Sequence, residues 1–193
     1  MKIEFGKIRG KKRRALCEAN YRQNAAADGT PQSATEGKLI NDQNGATGRA
    51  FAYGKYPARH NACEAIAVHN ARVLLGEKSC LSEVIARFQI CGAMIFSAYF
   101  GSNVYKIGKV LKSYGISYKK VRPKRATEPG IYIFSFWNEK PLKNGIHTVA
   151  ALLDSKGFTV YNLNCDGKTA ATPPEVFAKR HITGYFIKEG TKE

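Results

Sequence analysis

Cys63 lies in the stretch HNACEAIAVHNA, residues 60–71, where an amphipathic helix begins. Asn61 and Glu64 have the Asn-x-x-Glu spacing of an N-cap and its reciprocal partner at N3. The thiol then falls in the first helical turn, where unpaired backbone N–H groups and the helix dipole favour an anion. A low thiol pKa and a nucleophilic thiolate are the expectation. Further along, IHTVAALLD and GFTVYNLN flank DSKG as a hairpin. With Leu153 facing Phe158, His147 faces Asn164 and Val149 faces Asn162. Cross-strand partners, and residues two apart on one strand, share a face, so His147, Asn162 and Asn164 stand together in this register. A turn one residue longer or shorter would separate them. A thiol, an imidazole and an amide to orient it are the parts of a nucleophilic centre for acyl transfer.

Three helices must position the thiol. The first spans about 61–75 and stops at Gly76. Cys63, Ile66, Asn70 and Val73 or Leu74 share one of its faces, which makes Asn70 a buried hydrogen-bonding residue. His69 points elsewhere and is expected at the surface. A second helix covers about 80–90 and ends at Gly92. A third covers about 102–114, with Ser102 as its cap and Gly115 closing it. The pattern then turns extended. SYKKV reads as an exposed edge strand, and GIYIFSFW, apolar on both faces, as a central strand. A short PPEVFAKR helix and a last strand, GYFIK, follow the hairpin. The class is α+β, with N-terminal helices packed on a C-terminal antiparallel sheet and Cys63 opening the first core helix.

Residues 1–50 read as a basic, loop-rich extension with segments such as NAAADGTPQSATEG, ahead of a domain at 51–193. The chain has 193 residues and a formal charge of +16, from 31 Lys+Arg against 15 Asp+Glu. That excess points to an acidic partner. Part of it is a cluster within residues 1–14, and SYKKVRPKR at 117–125 is a second one. No apolar run approaches the ~20 residues of a membrane span, and no signal peptide is apparent, so a cytoplasmic location is expected. The cysteines at 17, 63, 80, 91 and 165 form no Cys-x-x-Cys, and the four histidines have no ligand spacing, so neither a metal nor another cofactor is implied. A lone helical cysteine is most often a core residue. Cys80 and Cys91 are read that way, and Cys17 and Cys165 as loop thiols. Cys63 differs by its helix-start position and its partner His147.

With a cysteine opening the first core helix, three helices, and a sheet carrying GIHTVA and VYN, residues 50–188 resemble the papain-like cysteine peptidase superfamily. They are most similar to its bacterial double-glycine-leader (bacteriocin-processing) branch. The resemblance implies Cys63 as nucleophile, His147 as general base and acid, and Asn162 as orienting residue, with Asn164 its rival from the hairpin register. It implies a peptide or protein substrate with a small-residue-rich leader. Such peptidases usually carry a Gln about six residues before the cysteine as oxyanion donor, and that position here is Pro57. Asn61 is the nearer polar candidate and Gln43 a more distant one. Either the oxyanion hole is built differently or turnover is weak or lost. Two alternatives therefore stand beside a cysteine peptidase: a catalytically degenerate fold that binds peptides, and a basic nucleic-acid or envelope binder.

Overall fold

The computed structural model describes residues 3–138 and 145–188. Lys2 of the basic N-terminal cluster and positions 139–144 of the NEKPLKNG segment lie outside them. The helices are α1 (Lys11–Asp28), α2 (Ala46–Ala50), α3 (Ala58–Asn61), α4 (Cys63–Leu74), α5 (Leu81–Ile90), α6 (Ile107–Lys112) and α7 (Pro174–Ala178). The strands are β1 (Ala52–Tyr53), β2 (Tyr56–Pro57), β3 (Lys119–Lys120), β4 (Gly130–Trp137), β5 (Ile146–Asp154), β6 (Gly157–Tyr161) and β7 (His181–Ile187). The chain is mixed helix and sheet. Its main sheet has five antiparallel strands in the order β3-β7-β4-β5-β6. Among the described residues no helix is long and apolar enough to cross a membrane.

β4 is central and buried on both faces. Ile131 and Ile133 look toward the helices with Tyr185 and Ile187. Tyr132, Phe134 and Phe136 look the other way and pack with Val149, Val160 and Phe177. α4 lies against the first of these faces and is itself buried from Cys63 through Arg72. Alanines at 65, 67 and 71 let it approach its neighbours on several sides at once. A helix enclosed all round has no surface stripe, which is why His69 is fully buried rather than exposed. Asn70 is buried as expected.

Residues 1–50 are more ordered than their composition suggests. α1 is an eighteen-residue helix whose inward positions are Cys17, Asn20 and Asn24. Cys17 is thus a helical core residue and not a loop thiol. Asn20 Nδ2 donates to Gly54 O at 2.8 Å, while Asn24 donates to Ala52 O and accepts from Ala52 N–H. An amide stripe, not an apolar one, holds α1 to β1.

The segment between α1 and α2 is held in the same way. His69 Nε2–H donates to Lys38 O at 2.8 Å, and Asn70 exchanges two hydrogen bonds with the backbone of Ile40. Asn70→Ala leaves a buried backbone N–H and C=O unpaired, at about 1–3 kcal/mol each. The expected loss is about 3 kcal/mol in urea unfolding, with new protease sensitivity within 36–45. A variant as stable and as protease-resistant as the wild type would refute this anchoring role.

Other local differences have plain causes. The turn before α6 is capped by Asn103, which accepts from Tyr105 N–H, because the Ser102 hydroxyl bonds Tyr53 OH instead. Cys80 and Cys91 are half-buried rather than core thiols.

Candidate functional site

The hairpin has the expected register, with Leu153 opposite Phe158 and Asp154 opposite Gly157. β6 nevertheless ends at Tyr161, because Asn162 adopts a positive φ of 61° and turns the chain out of the sheet. The ladder never reaches Asn164, which is exposed. The pairing of His147 with Asn164 therefore does not form, and the three residues do not share a face.

His147 meets Asn162 by another route. Its ring stands on the face of the sheet that carries Phe136 of β4, its cross-strand partner, with ring centroids 5.8 Å apart and edge to face. Nε2 lies 2.7 Å from the backbone carbonyl of Asn162. A carbonyl only accepts, so Nε2 carries the proton, and in the neutral ring Nδ1 is the basic nitrogen. Burial lowers the pKa of this imidazole, against the opposing pull of the Asn162 and Leu163 backbone groups. The ring is oriented by a main-chain group, not by the Asn162 amide.

That amide has other partners. Asn162 Oδ1 accepts from Gln43 N–H at 3.2 Å, and Asn162 Nδ2 donates to Gln43 Oε1 at 3.0 Å. Asn162 N–H donates to Asn41 Oδ1 at 3.0 Å. Gln43 Nε2 in turn reaches the carbonyls of Ala58 and Arg59 at 3.4 and 3.2 Å. Folding thus brings Gln43 to the site, with its amide engaged between α3 and Asn162. Both side chains are almost fully buried.

Cys63 sits beside this clasp. Asn138 N–H bonds Gly145 O, so residues 138 and 145, and by alternation 136 and 147, are the pairs that exchange hydrogen bonds between β4 and β5. The backbone groups of Ile146 and Thr148 then point away from β4. β6 pairs only from Ala150 onward, so that edge is open at their level. The Cys63 thiol fills it: Sγ donates to Ile146 O at 3.8 Å, and the Thr148 backbone opposes the rise in its pKa. Nucleophile candidate and imidazole therefore meet at one strand position, the thiol at the edge and the ring on the far face. They are not hydrogen-bonded to each other.

The thiol is not acidic. Burial pushes its pKa well above the usual value, and the Glu64 carboxyl adds to this. A dipole in the first turn does not offset the loss of water around a buried thiolate. The expected capping box is also absent. α4 has no side-chain cap, and Asn61 Nδ2 donates to Ala98 O at 2.8 Å and to Tyr99 O. Its donors are thus engaged, which removes it as an oxyanion donor. Glu64 turns inward, 3% exposed, and its Oε2 has no hydrogen-bond partner. Burial raises its pKa to about 7 despite its own N–H and the Cys63 and Ser102 groups nearby. Next to it, Tyr53 OH and Ser102 Oγ bond each other at 2.5 Å. Pro57 is exposed at the start of α3 and takes no part.

Gln43, the more distant candidate in the sequence, is thus at the site, whereas the inward-facing roles of Asn41 and Glu64 do not follow from spacing. The short amide-rich run NDQN at 41–44 was the available signal. Among the described residues no three His, Cys, Asp or Glu side chains are grouped to hold a metal ion. The chain matches no protein-family model and no curated protein sequence.

Proposed function

We propose that this chain is a cysteine-dependent peptidase or amidohydrolase of papain-like design, with Cys63 as nucleophile and His147 as base and acid. The observation that carries this reading is the meeting of the Cys63 thiol with the backbone on either side of His147, whose Nε2–H is fixed by Asn162. The resting pair is neutral thiol and neutral imidazole, not an ion pair. His147 Nδ1 takes the thiol proton as Sγ attacks the scissile carbonyl. A rotation of the Cys63 side chain toward the ring is the motion this step requires. The protonated Nδ1 then gives its proton to the leaving amine, leaving a Cys63 thioester. Nδ1 next takes a proton from water as the hydroxyl oxygen attacks the thioester, and the thiol is restored. The first-turn N–H at Cys63 has no intrahelical acceptor and suits the oxyanion. The substrates in this reading are peptides with a small-residue-rich leader, processed in a bacterial cytoplasm.

The test is mass-spectrometric cleavage of a peptide mixture rich in Gly-Gly and Gly-Ala junctions, by wild type, Cys63→Ser and His147→Ala. Cleavage in wild type that falls at least 100-fold in both variants is expected. Cleavage unchanged in Cys63→Ser would remove the thiol from the mechanism.

A second reading is a catalytically degenerate fold that binds a peptide without cutting it. It is favoured by the bonding of thiol and imidazole to separate partners and by the engaged amides of Asn61 and Gln43. Binding of the same peptides without cleavage, equal in wild type and Cys63→Ser, would select it.

A further inference from the structure

A groove of about 530 Å³ runs beside β3 and β7, remote in sequence from Cys63. Its walls include Tyr105, Lys120, Arg122, Arg125, His181 and Thr183, and none of its lining residues is acidic. β3 holds Lys120 opposite Tyr185, and Val121 N–H bonds Gly184 O. The turn Pro123–Arg125, with Pro123 buried, brings Arg125 back toward Arg122. Lys120, Arg122 and Arg125 are exposed. Among the described residues none of the three forms an ion pair with a carboxylate. His181 Nδ1 is a buried ring nitrogen without a hydrogen-bond partner. Like charges gathered without compensation repel one another, and a polyanion relieves that repulsion.

Tyr105 narrows the choice of polyanion. Tyr105 is 64% exposed on the groove wall. Cations that track a backbone, interleaved with exposed rings on which bases stack, are how single strands are held without sequence readout. An acidic peptide would use the cations but gain little from the Tyr105 ring. The groove volume falls in the range, about 300–1,000 Å³, that encloses one small-molecule-sized unit. A nucleotide fits that volume and a duplex does not. We infer that the β3–β7 groove binds single-stranded nucleic acid, with Lys120, Arg122 and Arg125 on phosphates and Tyr105 stacking a base. This site is independent of the proposed peptidase centre.

The experiment is fluorescence anisotropy of a labelled 15-nucleotide oligo-dT with the full chain, titrated between 50 and 300 mM NaCl. The K120A/R122A/R125A variant should bind at least tenfold more weakly at 100 mM. Its log K against log salt slope should be about 2 units shallower, since each lost single-strand phosphate contact removes about 0.7. Tyr105→Ala should weaken binding about 5- to 160-fold with the slope unchanged, because a stacked base contributes about 1–3 kcal/mol. These side chains are exposed, so circular dichroism should match the wild type. The inference is overturned if K120A/R122A/R125A binds like wild type, or if K11A/K12A/R13A causes the larger loss. Equal affinity for a 15-base-pair duplex, or for a labelled 15-residue polyglutamate, would overturn it as well.

Discussion

Glu64→Gln is expected to uncover a pH dependence of stability that the wild-type chain conceals. Burial raises the Glu64 pKa from 4.5 to about 7. Between those values the folded state binds a proton that the unfolded state does not. This contribution is complete below about pH 4.5 and is lost as pH rises through 7. The displacement corresponds to about 3 kcal/mol for a fully enclosed group. His69 acts in the opposite sense. Burial lowers its pKa from 6.5 to about 4, so its contribution is present above 6.5 and is lost as pH falls toward 4. Its magnitude is again about 3 kcal/mol. Over roughly pH 4.5–6.5 the two largely cancel. Removing the carboxyl leaves His69 unopposed, and the lowered His147 and His181 add to it. Urea unfolding of Glu64→Gln should therefore show stability rising from pH 4 to 6.5 by about 2 kcal/mol more than in the wild type, where the carboxyl offsets His69. Every other group titrates alike in both proteins, so the difference between the two curves isolates Glu64. Parallel curves would show that the carboxyl is not enclosed.

The pattern of what could be read from the sequence follows from how each part is stabilised. β4, α5 and the β5–β6 hairpin are held by apolar burial, and apolar residues announce themselves by period. The register of the hairpin needed only the two-residue turn between Asp154 and Gly157. α1 packs on α5 and puts Cys17 in the core, but its β1 side is held by Asn20 and Asn24 reaching backbone groups of Gly54 and Ala52, and amides carry no such period. Its low apolar content therefore looked like loop. The site divides in the same way. Cys63 at the head of α4 and His147 on β5 came from element boundaries and alternation. The end of β6 at Asn162 depends on one residue in the left-handed region, which asparagine enters more readily than most residues and where Gln43 holds its side chain. That turn cancels the Asn164 pairing and leaves the strand edge open for the thiol. The Asn61 cap failed for a related reason, because two carbonyls from a distant loop took its amide.

Asn162 is where the largest single loss is expected. Its side chain satisfies the N–H and the Oε1 of Gln43, both buried, and its carbonyl accepts from His147. Asn162→Ala leaves both Gln43 groups without partners, at about 1–3 kcal/mol each. It also puts an alanine at a φ of 61°, which costs about another 1 kcal/mol relative to glycine. A total near 4 kcal/mol is expected in urea unfolding. Asn162→Gly removes the backbone term but not the lost bonds, and should recover about 1 kcal/mol of it. Asn162→Asp is the informative third variant. It keeps an acceptor for Gln43 N–H but sets a second oxygen against Gln43 Oε1, so it should fall between wild type and alanine. That ranking, wild type above aspartate, then glycine, then alanine, separates the amide clasp from simple backbone strain. Strain alone would leave glycine level with wild type, and a packing role alone would make aspartate and wild type equal. The clasp also reaches the chemistry, because the carbonyl that fixes Nε2–H belongs to the residue it holds. If Asn162→Gly still folds, it keeps the carbonyl but loses the clasp that holds it, and it should cleave more slowly than wild type and faster than His147→Ala. A glycine variant that cuts peptides at the wild-type rate would show that the carbonyl of residue 162 holds Nε2–H without the amide clasp.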